Sequence, residues 1–287
     1  MDIAIIGADG QLGTDLVLAL SEFNVTPLYY PDFDILRSSE AESALRDINP
    51  DIVINTAAFN RVDDGEDVPT EAFQLNTLAV KDLAASCRTH DFVLVHFSTD
   101  YVFDGTKNSP YSEEDLPNPL NVYGISKLAG EYIVQCLMDR FFLIRTSSLY
   151  GAAGCLGMGK KNFIDSMLAL EKEGKSLRVV DDQYVTPTST SDLADHVAEL
   201  IRTEHYGLYH MTNSGSCSWY EYAQSIFDIL GIRPDLLPTD SASFGARALR
   251  PVYSVLENRQ AECIGLSDFP DWKDSLKDYL EKKGYLA

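Results

Sequence analysis

Ile3-Ala4-Ile5-Ile6-Gly7-Ala8-Asp9-Gly10-Gln11-Leu12-Gly13 is the stretch on which the fold turns. Four apolar residues run into three glycines spaced G-x-x-G-x-x-G, and an amphipathic segment, Leu12 to Glu22, begins inside the last of them. A short apolar run, a glycine turn and a helix start form the opening of a strand-turn-helix unit. With no side chain at Gly7, Gly10 and Gly13, the backbone can approach a pyrophosphate closely. The first N–H groups of the helix and the positive end of its dipole attract that charge. As a bare string the motif also fits a turn that only packs strand on helix, but its place directly after the first predicted strand favours a dinucleotide.

Outward from this unit the same rhythm repeats. Short runs rich in Ile, Val, Leu and Phe (Ile3 to Ile6, Thr26 to Tyr30, Ile52 to Asn55, Phe92 to Ser98, Phe141 to Thr146, then Ser176 to Val180 and Gly207 to Met211) alternate with helical patterns. The helical patterns are Leu12 to Glu22, Ala41 to Asp47, Thr70 to Arg88, Tyr123 to Met138, Asn162 to Glu173, Ser191 to Thr203 and Trp219 to Leu230. Near-continuous apolar strands joined by crossover helices predict a parallel sheet covered on both faces. The fold class is therefore α/β, a Rossmann-like doubly wound parallel sheet with a smaller, discontinuous α/β substrate-binding domain. Two stretches break the rhythm, Tyr150 to Lys161 and the proline-punctuated Arg233 to Pro251. They divide the chain into a dinucleotide-binding part, 1–150 with 176–212, and a cap, 151–175 with 213–287.

The 287 residues suffice for this architecture. Lys plus Arg number 23 against 44 Asp plus Glu, a formal charge of −21 that repels nucleic-acid backbones and anionic lipid surfaces. No apolar run reaches the ~18 residues of a membrane span, and Met1 leads straight into the first strand, so a cytoplasmic location is expected. Cys87, Cys136, Cys155, Cys217 and Cys263 are odd in number and scattered, which reads as free thiols. His90, His96, His196, His205 and His210 show no ligand spacing; no metal is expected and no histidine is assigned catalysis. A homodimer is kept open as an assembly state.

The sharpest constellation is Tyr123-Gly124-Ile125-Ser126-Lys127 at a helix start, with Ser98-Thr99-Asp100-Tyr101 at the end of the preceding strand. Tyrosine and lysine at i and i+4 share a helix face. At about 4 Å and an effective dielectric of about 20, an ammonium favours a phenolate by roughly 4 kcal/mol before desolvation. That brings a phenol toward useful acid-base behaviour at neutral pH. Beyond the second strand lie Pro31-Asp32-Phe33-Asp34-Ile35, with no cation until Arg37. A carboxylate there suits a ribose hydroxyl better than a 2′-phosphate, so NADH is favoured over NADPH. Asn55-Thr56-Ala57-Ala58-Phe59 supplies small side chains beneath a cofactor.

With these motifs in place the chain resembles the extended short-chain dehydrogenase/reductases, and within them the dTDP-4-dehydrorhamnose reductase family. The resemblance runs nearly end to end. It rests on Gly7 to Gly13, Pro50 to Ala58, the specific block Ser98-Thr99-Asp100-Tyr101-Val102-Phe103, Asn121 to Glu131, Arg145-Thr146-Ser147, Asp182-Gln183-Tyr184, and Arg250-Pro251 with Ser254. It implies reduction, by NADH or NADPH, of the C4 ketone of a nucleotide-linked 4-keto-6-deoxy sugar to give dTDP-L-rhamnose. Tyr123 would be the proton donor, Lys127 would hold the nicotinamide ribose and Thr99 would hydrogen-bond the sugar oxygen. Asp100 would touch the sugar, and Gly10, Gln11, Leu12, Asp34, Ile35, Ala57, Ala58 and Phe59 would line the cofactor.

Three departures bear on the sugar side. Ser148 stands where the family often has a stacking tryptophan, Asp63-Asp64-Gly65-Glu66 lacks the usual Lys-Ala pair, and the loop Gly151 to Lys161 is long and glycine-rich. A diphosphate needs local cations in so acidic a chain, and Lys160, Lys161, Arg247 and Arg250 are the candidates, Arg250 first. Competing readings are a reductase of another nucleotide-linked 4-keto sugar and a catalytically silent regulatory homologue. A dehydratase is disfavoured because Asp100 is followed by Tyr101 rather than a second carboxylate.

Overall fold

Five strands, β1 (Asp2–Ile6), β2 (Asn24–Leu28), β3 (Ile52–Asn55), β4 (Val93–Thr99) and β5 (Phe141–Thr146), join the later strand Gly207–His210 in one parallel sheet. Its order is β2-β1-β3-β4-β5 with Gly207–His210 outermost. The computed structural model describes residues 1–154, 159 and 161–286, and Cys155 and Lys160 from the sequence reading lie outside them. β3 and β4 are buried at every position, which demands helices on both faces. β2 is an edge strand, half-exposed, and so tolerates Pro27, which has no N–H to give to a neighbour. From β1 the chain first adds β2 on one side and then β3 on the other. This reversal opens a crevice at the carboxyl ends of β1 and β3, where doubly wound sheets bind ligands.

Six helices or helical turns follow these strands: α1 (Gln11–Ala19), α2 (Ser38–Ile48), α3 (Val62–Asp67), α4 (Pro69–Phe73), α5 (Ala79–His90) and α6 (Val122–Leu137). One face of the sheet is covered by α1 and the later helix Thr190–Leu200, whose Leu16, Leu193 and Val197 pack on Ile3, Ile5, Val95 and Ile144. The other face is covered by α2, α5 and α6, where Leu45, Val80, Leu83 and Val134 pack on Ala4, Ile6, Val53 and Leu94. The predicted single helix Thr70 to Arg88 is interrupted by a π-helical turn, Gln74–Leu78, between α4 and α5. That turn presses on α6 so closely that a Cβ on Gly130 would sit 2.3 Å from the Asn76 carbonyl oxygen.

A second, smaller core lies beyond the carboxyl end of the sheet. Tyr150, Ile164, Leu177, Tyr222, Trp272, Leu276 and Leu280 form it, with helices Phe163–Lys172, Trp219–Leu230 and Trp272–Lys282. Leu177–Val180, expected as a late strand beside the dinucleotide-binding part, pairs instead with Leu236–Thr239. Its physical reason is local: Arg178 is exposed between buried Leu177 and Val179, a one-sided pattern unsuited to a sheet covered on both faces. The stretch Arg233 to Pro251 is thus not irregular throughout, since it carries that partner strand and the short helix Ser241–Phe244. Among the described residues no helix is long and apolar enough to cross a membrane.

Candidate functional site

The glycine turn is needed at each of its three points for a different contact. Gly7 has φ +75°, and a Cβ there would meet Thr56 Oγ1 at 2.7 Å. A Cβ on Gly13 would lie 2.2 Å from the Gly7 carbonyl oxygen, so α1 reaches the strand end only because that hydrogen is all Gly13 carries. Gly10 donates its N–H to Gly7 O at 2.9 Å and caps α1 without any side-chain hydrogen bond. No acidic residue occupies the first turn of α1, so its N–H groups are left for an external anion. Gln11 donates to the Leu149 carbonyl at 2.9 Å, tying the turn to the chain beyond β5.

Beside the turn, Ala57 N–H donates to Asn55 Oδ1 at 3.1 Å, which leaves the Asn55 amide nitrogen facing His96 Nδ1 at 3.2 Å. His96 Nδ1 must therefore accept, and the imidazole is neutral; burial, aided by the nearby Lys127 charge, holds its pKa well below the ordinary value. Phe59 has both backbone groups bound by the side chain of Asn76, at 2.8 and 3.0 Å. Asn76 also donates to Ser126 Oγ at 2.9 Å, and Ser126 donates to the Tyr123 carbonyl at 2.7 Å. One buried amide in the π-helical turn thus fixes the loop after β3 and the start of α6 together.

α6 is capped by Asn121, whose Oδ1 accepts from Gly124 N at 2.8 Å. Lys127, 2% exposed, donates from Nζ to the Phe97 carbonyl at 2.6 Å. Burial pushes its ammonium down to about 8 against the pull of Glu131 one turn on. The Tyr123 ring meets Tyr101 edge-on at 6.0 Å. Thr99 donates to Asp100 Oδ1 at 3.0 Å and accepts from Tyr101 N at 3.2 Å. Asp100, 3% exposed, lies on the wall of the site, but its second oxygen is taken by the hydroxyls of Ser147 at 3.1 Å and Ser254 at 2.5 Å. The carboxylate assigned to the sugar therefore spends its oxygens on three neighbouring hydroxyls.

These groups share one cavity of about 1500 Å³, larger than the ~300 to 1,000 Å³ of an ordinary single-ligand cleft. Gly7, Gly10, Gln11, Leu12, Ala57, Ala58 and Phe59 line its glycine-turn side, and Asp34 and Ile35 also line it. Gly13 lies beneath, pressed on Gly7. Thr99, Asp100, Tyr123, Lys127, Ser148 and Arg250 line the middle. Ser148 takes φ +47°, a left-handed conformation uncommon outside glycine and worth noting in a wall position. Asp34 accepts from Leu36 N at 2.9 Å, and Arg37 is engaged with Glu40 and the Pro31 carbonyl rather than turned to the cavity.

The candidate cations are partly committed elsewhere. Asp63 grips Arg250 through both oxygens, at 2.7 and 3.2 Å, and this hydrogen-bonded pairing holds the Asp63 carboxyl below its usual range. Arg247 pairs with Asp67 and lies 3.9 Å from Asp64. Acidic α3, unanticipated as a helix, is thereby clasped to the C-terminal segment. Lys161 is exposed and absent from the described lining. Residues missed by sequence reasoning include Asn76 and an apolar wall of Phe163, Met167, Trp219 and Phe244, while Ser147 and Ser254, quoted above for the resemblance, had been given no role. Of the wall, Phe163 and Trp219 stand at the starts of the predicted helices Asn162 to Glu173 and Trp219 to Leu230. Among the described residues no His, Cys, Asp and Glu group is arranged to hold a metal ion.

Comparison with known proteins places this geometry. The family described as "RmlD substrate binding domain" matches residues 1–284. A dTDP-4-dehydrorhamnose reductase of Streptomyces griseus is 37% identical over 96% of this chain and 91% of its own. A dTDP-4-keto-6-deoxy-D-glucose reductase of Streptomyces niveus is 36% identical over 95% of this chain and 94% of its own. Among solved structures, dTDP-4-dehydrorhamnose reductase from Bacillus anthracis in complex with NADP superposes with a TM-score of 0.93 at 36% identity, covering 98% of this chain and 99% of the other.

Proposed function

From the premise that the chain belongs to the RmlD family of dTDP-4-dehydrorhamnose reductases, we propose that it reduces the C4 ketone of dTDP-4-dehydro-6-deoxy-L-mannose to dTDP-L-rhamnose. The observation that carries this reading is the single cavity shared by the glycine turn and by Thr99, Tyr123 and Lys127. A nicotinamide cofactor, when bound, supplies the hydride. The turn fits such a group, because a Cβ at Gly7 or Gly13 would collide with the chain and the first turn of α1 is left uncapped by side chains. Gly7, Gly10, Gln11 and Leu12 would hold the pyrophosphate, Ala57, Ala58 and Phe59 would lie under the dinucleotide, and Asp34 and Ile35 would meet the adenosine end.

The chain's own residues then divide the work on the ketone. Tyr123 gives its phenolic proton to the C4 oxygen as charge develops there. Lys127, held by the Phe97 carbonyl, favours the phenolate that remains and anchors the nicotinamide ribose. Thr99 hydrogen-bonds the same oxygen. Arg250, once its grip on Asp63 is exchanged, neutralises the diphosphate. NADH is the preferred cofactor in this reading, since Asp34 is not accompanied by a cation turned into the cavity. We also propose the division expected from the sequence, a dinucleotide part, 1–150 with 176–212, and a cap, with one change: the pairing of Leu177–Val180 with Leu236–Thr239 supports counting that strand with the cap.

Ser148, small where a stacking ring was expected, favours a second reading with a differently configured 4-keto sugar, of the kind named for the Streptomyces niveus relative. Supplying dTDP-4-dehydro-6-deoxy-L-mannose with NADH or NADPH and following the loss of nicotinamide absorbance tests both. Wild type should consume cofactor, and Tyr123→Phe should be slower by at least ~100-fold. Turnover in Tyr123→Phe equal to wild type would remove Tyr123 from the chemistry.

A further inference from the structure

We infer that Asp100 acts in its neutral, protonated form, as the donor that turns the Thr99 hydroxyl proton toward the substrate ketone. This rests on the reading of Thr99 given above and makes Asp100 a positioning residue rather than a sugar ligand. The reason is an inventory of protons. A threonine hydroxyl has one proton to give and two lone pairs to accept with. Tyr101 N–H uses one lone pair, at 3.2 Å, and the remaining near partner is Asp100 Oδ1, at 3.0 Å. With Asp100 ionised, Thr99 must give its only proton to the carboxylate, and its oxygen would then face a ketone oxygen with nothing to donate. With Asp100 neutral and its proton on Oδ1, the carboxyl donates to Thr99 and the threonine proton is released for the ketone.

The other carboxyl oxygen fits the same state. Oδ2 receives the hydroxyls of Ser147 and Ser254, two donors for the two lone pairs of a carbonyl oxygen. Among the described residues no Lys, Arg or His forms an ion pair with Asp100. On its own turn it faces Tyr101, behind which stand Arg250 and Asp63. On the β5 side it faces Ser147, which lies 3.4 Å from the Ser148 hydroxyl, while Arg145 two residues earlier is committed to Glu131. From the C-terminal segment comes Ser254 beside Tyr253, and from α6 Tyr123 and Lys127 share the cavity wall. Burial pushes the Asp100 carboxyl up to about 6, with the hydroxyls of Ser254, Thr99 and Ser147 opposing. A sugar closing over the wall removes more water and raises it further.

The test is the pH dependence of kcat/KM for cofactor oxidation with dTDP-4-dehydro-6-deoxy-L-mannose, in wild type, Asp100→Asn and Ser254→Ala. In wild type the rate constant should fall by about 20-fold between pH 5.5 and 7.5 as Asp100 loses its proton, and the corresponding fall in kcat should lie at higher pH. Asparagine presents an N–H to Thr99 and a carbonyl oxygen to the two serines, so this limb should vanish in Asp100→Asn. Ser254→Ala removes a donor that favours the ionised form, so its limb should move to higher pH. Thermal unfolding and NADH binding establish that each variant is folded. A limb that persists unchanged in Asp100→Asn overturns the inference, as does an unmoved limb in Ser254→Ala, which also decides the matter if Asp100→Asn does not fold. Wild-type turnover with either of these results sinks only this inference, whereas absence of wild-type turnover at every pH sinks the reading of the site and this inference with it.

Discussion

Replacing Arg145 by methionine should destabilise the protein by about 3 to 5 kcal/mol, the cost of leaving one member of a buried ion pair without its partner. Arg145 and Glu131 are 3% and 0% exposed, and they meet through two hydrogen bonds of 2.7 and 3.0 Å. Methionine keeps the apolar stem and nearly the volume of arginine and can still pack toward Phe103, whose ring lies 5.2 Å from the guanidinium carbon. The loss is therefore one of charge rather than volume. At about 2.1 cal/mol/K of unfolding entropy per residue, 287 residues give roughly 0.6 kcal/mol/K, and the expected drop in Tm is about 5 to 8 °C. Glu131 sits on α6, one turn after Lys127, so the orientation of that helix should suffer as well. Differential scanning calorimetry on Arg145→Met, Glu131→Leu and the double variant checks the reasoning. The double variant removes both charges and should regain most of the loss. A drop below 1 °C in Arg145→Met, or a double variant no better than the sum of the two losses, would refute it.

Three further outcomes are expected. Gly13→Ala places a methyl 2.2 Å from Gly7 O and 2.8 Å from Ala8 Cα, both backbone atoms that cannot swing aside; NADH affinity by fluorescence titration should weaken by at least ~10-fold despite the better helix propensity of alanine. Lys127 is depressed to about 8 from 10.5 by burial, so the unfolded chain holds its proton more tightly; between those pH values the stability of wild type should rise by on the order of 3 kcal/mol relative to Lys127→Met, read from urea unfolding at pH 7 and pH 10.5. Asp34→Ser removes the carboxylate at the adenosine end, and the ratio of kcat/KM for NADPH to that for NADH should rise by about 10-fold; an unchanged ratio would take Asp34 out of cofactor choice.

What was legible in the sequence was what is local in it. The strand, the glycine turn and α1 occupy consecutive residues, and Tyr123 and Lys127 stand one helical turn apart, so period and spacing sufficed. Trp272–Lys282 also carried a signal that went unread, with Asp271 as N-cap and buried Trp272, Leu276, Tyr279 and Leu280 at helical spacing. The π-helical turn left no such trace in the local pattern, and its close contact with α6 at Gly130 lies more than fifty positions away. The placement of Leu177–Val180 depended on Leu236–Thr239, and the occupation of Asp100 depended on Ser254, 154 residues distant. Arg250, expected from its place in the chain as a cation for the diphosphate, lines the cavity, but its grip by Asp63 is a tertiary contact to which no periodicity points.

The dependence of Asp100 on Ser254 gives the protein a timetable on the ribosome. All six strands of the large sheet have been translated once His210 is made, and the dinucleotide bend is among the first residues to emerge. The Ser254 hydroxyl that donates to Asp100 comes about forty codons later, together with the Arg250 guanidinium that faces α3. A message truncated between those two points would yield a chain with the glycine bend, Thr99, Tyr123 and Lys127 but without Arg250 and Ser254, so nonsense mutations between them should abolish turnover as completely as early ones.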